Sequence, residues 1–171
     1  MRFGFLLLTA CLALSVLPAP AAHAAAPGLT WRAWDRGLEE ARSSKRHVLV
    51  DVYTDWGGWC RRREADVYAR PDVREYLARK FVLVKLDAEA ADAASYEGRP
   101  FTSRSLAARF SVNGYPTTIF LKPEGDHLIN VPGYVPADRF LLVLRYIGDG
   151  HLDRGETFQD FLKQTAPGDQ H

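Results

Sequence analysis

Cysteine is the informative scarcity in this chain of 171 residues, which holds two, Cys11 and Cys60. Cys11 lies in an N-terminal stretch that reads as a removable leader. Arg2 gives a short positive start, Phe3 to Leu17 is apolar but short for a bilayer span, and Ala22-His23-Ala24 is a small-residue cleavage pattern. Cleavage is expected after about Ala24, which leaves Cys60 alone. An exported chain with one thiol cannot close an internal disulfide. Such a thiol implies intermolecular pairing, a reactive site or a buried inert residue. One cysteine with scattered histidines gives no zinc set, and no metal or cofactor is expected. Long apolar runs are missing after residue 24, so no membrane helix is expected in the mature chain. An excess of charge is missing too. The 22 basic and 21 acidic residues balance once Arg2, the only charged residue before residue 25, is removed. That balance argues against nucleic acid as a partner. Leu8-Thr9-Ala10-Cys11 offers a competing reading as a lipoprotein box, which would tether the protein through Cys11. The apolar run continues past Cys11, which favours the cleaved leader.

What remains is ordinary globular composition, 47% hydrophobic and 25% charged, enough for one domain with a real core. Residues 1–24 are assigned to the leader, 25–150 to the main domain, and 151–171 to a C-terminal helix and polar tail. Apolar residues at Trp31, Trp34, Leu38 and Ala41 are spaced for a helix, with Leu29-Thr30-Trp31 able to form a short strand first. Gly37 is an oddity inside that helix. HVLVDVY (47–53) and FVLVKLD (81–87) are β-branched runs that read as buried strands. A helix should follow Gly57-Gly58 to about Tyr68, and Pro71 suits the first turn of another, 72–80. Residues 88–102 read as a long connection. Thr102 or Ser103 should cap a helix to Phe110. TTIFL (117–121) and residues 127–131 should form a hairpin, followed by an amphipathic helix over 136–147 and a short helix over 156–164. DGHLDRGETFQD (149–160) spaces some acids like a calcium loop but has Arg154 where the loop needs glycine, and is assigned as a helix-to-helix turn. Helices between the early strands imply parallel pairing. The fold class is α/β, a mixed central sheet with helices on both faces.

The chemistry concentrates in VDVYTDWGGWCRRR (50–63). A buried strand carrying Asp51 runs into Trp56-Gly57-Gly58-Trp59-Cys60, and Tyr115-Pro116 stands before the later hairpin. Together these resemble the thioredoxin superfamily, and most closely its periplasmic thioredoxin-like domains, such as the C-terminal domain of the bacterial thiol:disulfide interchange protein. The resemblance covers roughly residues 29–148. It implies a thioredoxin-like fold and protein thiols, disulfides or extended peptides as partners, while the leader cleaved after about Ala24 implies a periplasmic or secreted location. A membrane redox partner is a further option.

Carried over residue by residue, Asp51 stands where the family has a buried acid that relays the proton of the second cysteine. Burial of a carboxylate disfavours its charge, which would suit a relay near neutrality. Pro116 matches the family's cis-proline, and Trp56, Gly57, Gly58, Trp59 and Tyr115 would complete a groove for an extended peptide. Some of these rings could instead pack in the core. The departure is Gly57, which replaces the nucleophilic cysteine. A dithiol cycle needs a second sulfur to resolve the mixed disulfide made by the first, so this chain cannot run the cycle alone. Cys60, in the second position, is left either as a reactive monothiol or as a buried remnant. Arg61, Arg62 and Arg63 could favour its thiolate, but successive helical residues diverge by about 100°, so all three cannot face it. The expected function is an exported thioredoxin-fold protein with a degenerate GxxC site and at most monothiol activity through Cys60. The alternative is a non-catalytic module that binds peptides or a partner.

Overall fold

The computed structural model describes residues 28–165, so the expected leader and cleavage point, Cys11 and the end of the polar tail lie outside the described residues. The two β-branched runs form the centre. Strands β2 (His47–Tyr53) and β3 (Phe81–Asp87) pair in parallel from His47 opposite Phe81 to Tyr53 opposite Asp87. Strand β1 (Trp31–Arg32) lies parallel on the outer side of β3. Strands β6 (Thr117–Leu121) and β7 (His127–Pro132) run antiparallel, giving the order β1-β3-β2-β6-β7. The mixed sheet with helices on both faces is therefore present, and the parallel early strands follow from the helical crossovers between them.

Strand alternation divides the core into two layers. Val48, Val50 and Val52 face helix α1 (Trp34–Ser44) and helix α4 (Ser103–Arg109), and pack with Trp34, Leu38, Ala41, Leu106 and Phe110. Leu49 and Phe120 face the other way, against α3 (Pro71–Lys80), α5 (Ala137–Gly148) and α6 (Phe158–Thr165). They meet Leu77, Phe140, Leu144 and Phe161 there. Each such buried side chain contributes about 1.5–3 kcal/mol relative to exposure. Gly37 is explained by contact: a Cβ there would lie 2.2 Å from Val84 Cγ2, so the glycine lets α1 settle on β3. The helix after the motif is α2 (Gly58–Arg63), which continues as a π-helical turn, Glu64–Tyr68, closed by Ala69 N–H donating to the Glu64 carbonyl at 3.1 Å. Thr102 caps α4 in a reciprocal box with Ser105. Residues 149–157 are the expected turn between α5 and α6, tied by His151 Nδ1 to Glu156 at 2.6 Å.

One expectation is corrected. Residues 88–102 are not a structureless connection but contain a hairpin, β4 (Ala93–Tyr96) with β5 (Arg99–Thr102). Glu97 (φ 52°) and Gly98 (φ 73°) both take the left-handed conformation that a two-residue hairpin turn needs. The side chain of Tyr96 turns into the core against Phe110 at 4.9 Å between ring centroids. Asp35 on α1 accepts the Ser95 N–H at 2.8 Å, and Trp34 Nε1 donates to the Ser95 carbonyl at 2.9 Å. The signal was present as Ala94 and Tyr96 on alternate positions before Glu-Gly, but Pro100 and the alanine-rich start hid it. Among the described residues no helix is long and apolar enough to cross a membrane.

Candidate functional site

The site lies at the end of the sheet where β2 finishes and β6 begins. Because these strands are antiparallel, Val52 faces Thr117, and the segments just beyond them meet. Gly57 N–H donates to the Thr54 carbonyl at 3.1 Å, closing the turn that leads into α2. The Tyr115–Pro116 peptide bond, just before β6, is cis, and Pro116 is buried. The Trp56 and Tyr115 rings meet edge to face at 6.3 Å, which brings the two halves of the motif together. Trp56 and Trp59 are 65% and 55% exposed, so neither packs in the core. Trp59 contacts the Tyr134 ring at 5.5 Å. The Arg62 guanidinium lies over both rings, at 5.4 and 5.8 Å, while holding Asp66 at 3.0 Å. The result is an aromatic rim on the surface, braced by a cation.

Cys60 is 6% exposed in the first turn of α2. Its sulfur lies beside the bare Cα of Gly57: a Cβ built on Gly57 would stand 2.7 Å from Cys60 Sγ and 3.0 Å from Thr54 Oγ1. Gly57 has φ −66° and ψ 103°, which any residue adopts, so the backbone does not require glycine. The requirement, where there is one, comes from the sulfur. The three arginines diverge as helical geometry demands. Arg61 donates to the Asp55 carbonyl at 2.9 Å, Arg62 braces the rim, and Arg63 turns inward.

Asp51 has surroundings different from those expected of a bare buried carboxylate. It is 1% exposed, in contact with Arg63 Nη2, and its other oxygen holds Lys85 Nζ at 2.7 Å. Lys85 also holds Glu64 and sits over the Trp31 and Tyr53 rings, 4.8 Å from each. Arg63 is itself buried. Its Nη1 donates to Thr118 Oγ1 at 3.0 Å and its guanidinium lies 5.5 Å from the Tyr68 ring centroid. Desolvation pulls the Arg63 pKa down, and burial pushes the Tyr68 phenol up to about 12. Two cations at one carboxylate favour its charged form, opposing the desolvation argument that made Asp51 a relay. Sequence reasoning missed Arg63 and Lys85 as its partners. The spacing from Cys60 to Arg63, one helical turn, put both on one face and was the available signal. Thr54 and Tyr134 were also missed. Among the described residues no group of three or more His, Cys, Asp or Glu is placed to hold a metal ion.

Comparison with known proteins follows the same lines. Residues 34–148 match the family model described as a thioredoxin-like domain. Over 109 residues, 63% of the chain, it is 38% identical to thiol:disulfide interchange protein DsbD 2 of Pseudomonas aeruginosa, of which it spans only 17%. It is 23% identical to the disulfide bond reductase DsbH of Chlamydia pneumoniae, covering 66% of this chain and 67% of that one. Among solved structures, a thioredoxin from Thermus thermophilus superposes with a TM-score of 0.61 at 26% identity, covering 75% of this chain and 93% of that one.

Proposed function

The chain belongs to the thioredoxin-like domain family, with kinship to thiol:disulfide interchange proteins, and on that premise we propose that it is an exported member whose site has lost the attacking sulfur. Cys60 performs what thiol chemistry remains. Its thiolate takes one sulfur of a partner's disulfide, the partner's other sulfur leaves as thiolate, and a resolving thiol must come from outside the chain. The observation that carries this reading is the position of Cys60 Sγ against Gly57, where a first cysteine would begin its side chain. The aromatic rim of Trp56, Trp59 and Tyr115 beside Pro116 holds the partner polypeptide. A second reading, binding without chemistry, is favoured by the exposure of both tryptophans, each residue being more than half open to solvent.

The test combines turnover with trapping. Insulin-type disulfide reduction by the purified protein is expected at background. A polypeptide carrying an activated mixed disulfide is expected to form a stable adduct at Cys60, absent in Cys60→Ser. Trp56→Ala with Trp59→Ala should slow that adduct several-fold while shifting stability by less than about 1 kcal/mol, because both rings are exposed. Turnover rivalling a two-cysteine thioredoxin would refute the reading. Binding that persists unchanged in Cys60→Ser, with no adduct in the parent, would leave the purely binding module.

A further inference from the structure

Beside the rim there is a second approach to the sulfur: Cys60 lines a cleft of about 200 Å³ together with Tyr53, Thr54, Asp55, Arg61, Glu64 and Lys85. None of Trp56, Trp59, Tyr115 or Pro116 lines it. A cleft this small falls below the usual 300–1,000 Å³ of sites for drug-sized ligands, and charged side chains of both signs stand around a partly apolar lining. Thr54 adds an independent sign. It is 1% exposed, and its Oγ1 has no hydrogen-bond partner among the described residues although it is fully desolvated. Such a group is costly to bury alone and points to a missing partner. That oxygen and Cys60 Sγ both lie within 3.0 Å of the same point, the Cβ position on Gly57. The charges at the cleft are mixed. Lys85 is committed to Asp51 and Glu64, while Arg61 gives Nη1 to the Asp55 carbonyl and keeps its other N–H groups for a ligand. Asp55 supplies a carboxylate beside it, while Glu64 is taken up by Lys85.

We infer that the cleft admits a small zwitterionic disulfide of the amino-acid thiol class, cystine being the simplest, and that Cys60 exchanges with it. This names the substrate class for the Cys60 chemistry proposed above and rests on that reading. The Cys60 thiolate attacks one sulfur of the small disulfide and a new S–S bond forms to Sγ. The old S–S bond breaks and one half leaves as thiolate. Cys60 is oxidised as the departing half is reduced, and no further oxidant is needed. Arg61 receives the carboxylate, the Asp55 carboxylate receives the ammonium, and the Thr54 hydroxyl donates to the sulfur that becomes negative. The released thiolate reverses the step, and an outside thiolate that attacks the bound half frees Cys60 and leaves with that half as a new disulfide.

The experiment follows adduct formation by intact mass, using cystine, the uncharged hydroxyethyl disulfide, and cystamine, which keeps the ammonium groups but lacks carboxylates. Each rate is divided by that probe's rate with a free cysteine peptide. The expected result is a cystine rate about tenfold above the other two, as one well-made charged contact gives. Arg61→Gln should erase that preference. Thr54→Val should slow all three about tenfold while leaving the fold intact by circular dichroism. Equal normalised rates for the three probes, or no adduct with any, overturn the inference. The polypeptide adduct is measured on the same preparation. If it forms while cystine shows no preference, only the substrate class falls. If neither forms although denatured Cys60 reacts, the monothiol reading falls with it.

Discussion

Restoring the first sulfur tests the geometry of the site most directly. In Gly57→Cys the new Cβ would stand 2.7 Å from Cys60 Sγ, 3.0 Å from Thr54 Oγ1 and 3.2 Å from the Thr54 carbonyl oxygen. Non-bonded heavy atoms prefer about 3.5–4.0 Å, so with two free thiols the pair is too close by about 1 Å. Across a disulfide the same two atoms are separated by only about 3.0 Å, given an S–S bond near 2.04 Å. The position is therefore poor for a dithiol and close to right for a bond. The backbone at Gly57 adds no strain of its own. Closing so short a loop removes about 2 kcal/mol of unfolded-state entropy in the chain-entropy account. For a chain of this size that corresponds to a melting point roughly 4–8 °C higher for the oxidised variant than for its reduced form, before the relief of crowding is counted. The assay is thermal unfolding of the variant with and without reductant, alongside a thiol count. A reduced form as stable as the oxidised one, or two free thiols persisting under mild oxidant, would refute the placement of Cys60 Sγ.

Two further predictions concern the buried charges. Asp51→Asn and Arg63→Met each strand a partner in the core and should each cost about 3–5 kcal/mol in urea unfolding, with the double variant costing clearly less than the sum; strict additivity would mean that the two side chains do not pair. Tyr68 has its phenol raised to about 12 when folded, chiefly by desolvation, against about 10 unfolded. Between those values the unfolded chain releases a proton that the folded one keeps, so stability is intact below pH 10 and falls as pH rises toward 12, by on the order of 2–3 kcal/mol. Tyr68→Phe should flatten that fall in alkaline unfolding curves, and an unchanged slope would rule out Tyr68 as its source.

The sheet was legible in the sequence because its two central strands are uninterrupted β-branched runs, and their ends match β2 and β3 residue for residue. The cap at Thr102 was legible for the same reason: its chemistry is local. The hairpin over 93–102 was not, because a Glu-Gly turn reads weakly beside Pro100, and what holds it is Trp34 and Asp35, some sixty residues earlier in the chain. At the site, the residue types and their spacing were visible, and the strand register explains why Trp56 and Tyr115 meet. The partners of Asp51 were not visible. A pattern shows that a carboxylate is buried, but not that Lys85 stands opposite it in register on β3 or that Arg63 folds in from α2. The sign of the electrostatic argument depended on those two contacts.

That change of sign fits the proposed absence of a first sulfur at position 57. In a two-sulfur cycle the second thiol must shed its proton to resolve the mixed disulfide on the first, and an acid that is neutral part of the time helps it. On the function proposed above there is no such resolving step inside the chain, and a relay at Asp51 would have no second thiol to serve. Its contacts with Arg63 and Lys85 favour the anion. The desolvation of the buried Arg63 guanidinium at the foot of the motif is offset by that carboxylate together with the Thr118 hydroxyl and the Tyr68 ring. The two features constrain each other. Gly57→Cys by itself should recover a disulfide but little turnover, because the relay stays clamped. Adding Arg63→Met frees one side of Asp51, and turnover per oxidised molecule should then rise despite the lower stability. Full turnover from Gly57→Cys alone would show that the Arg63 clamp leaves the relay working.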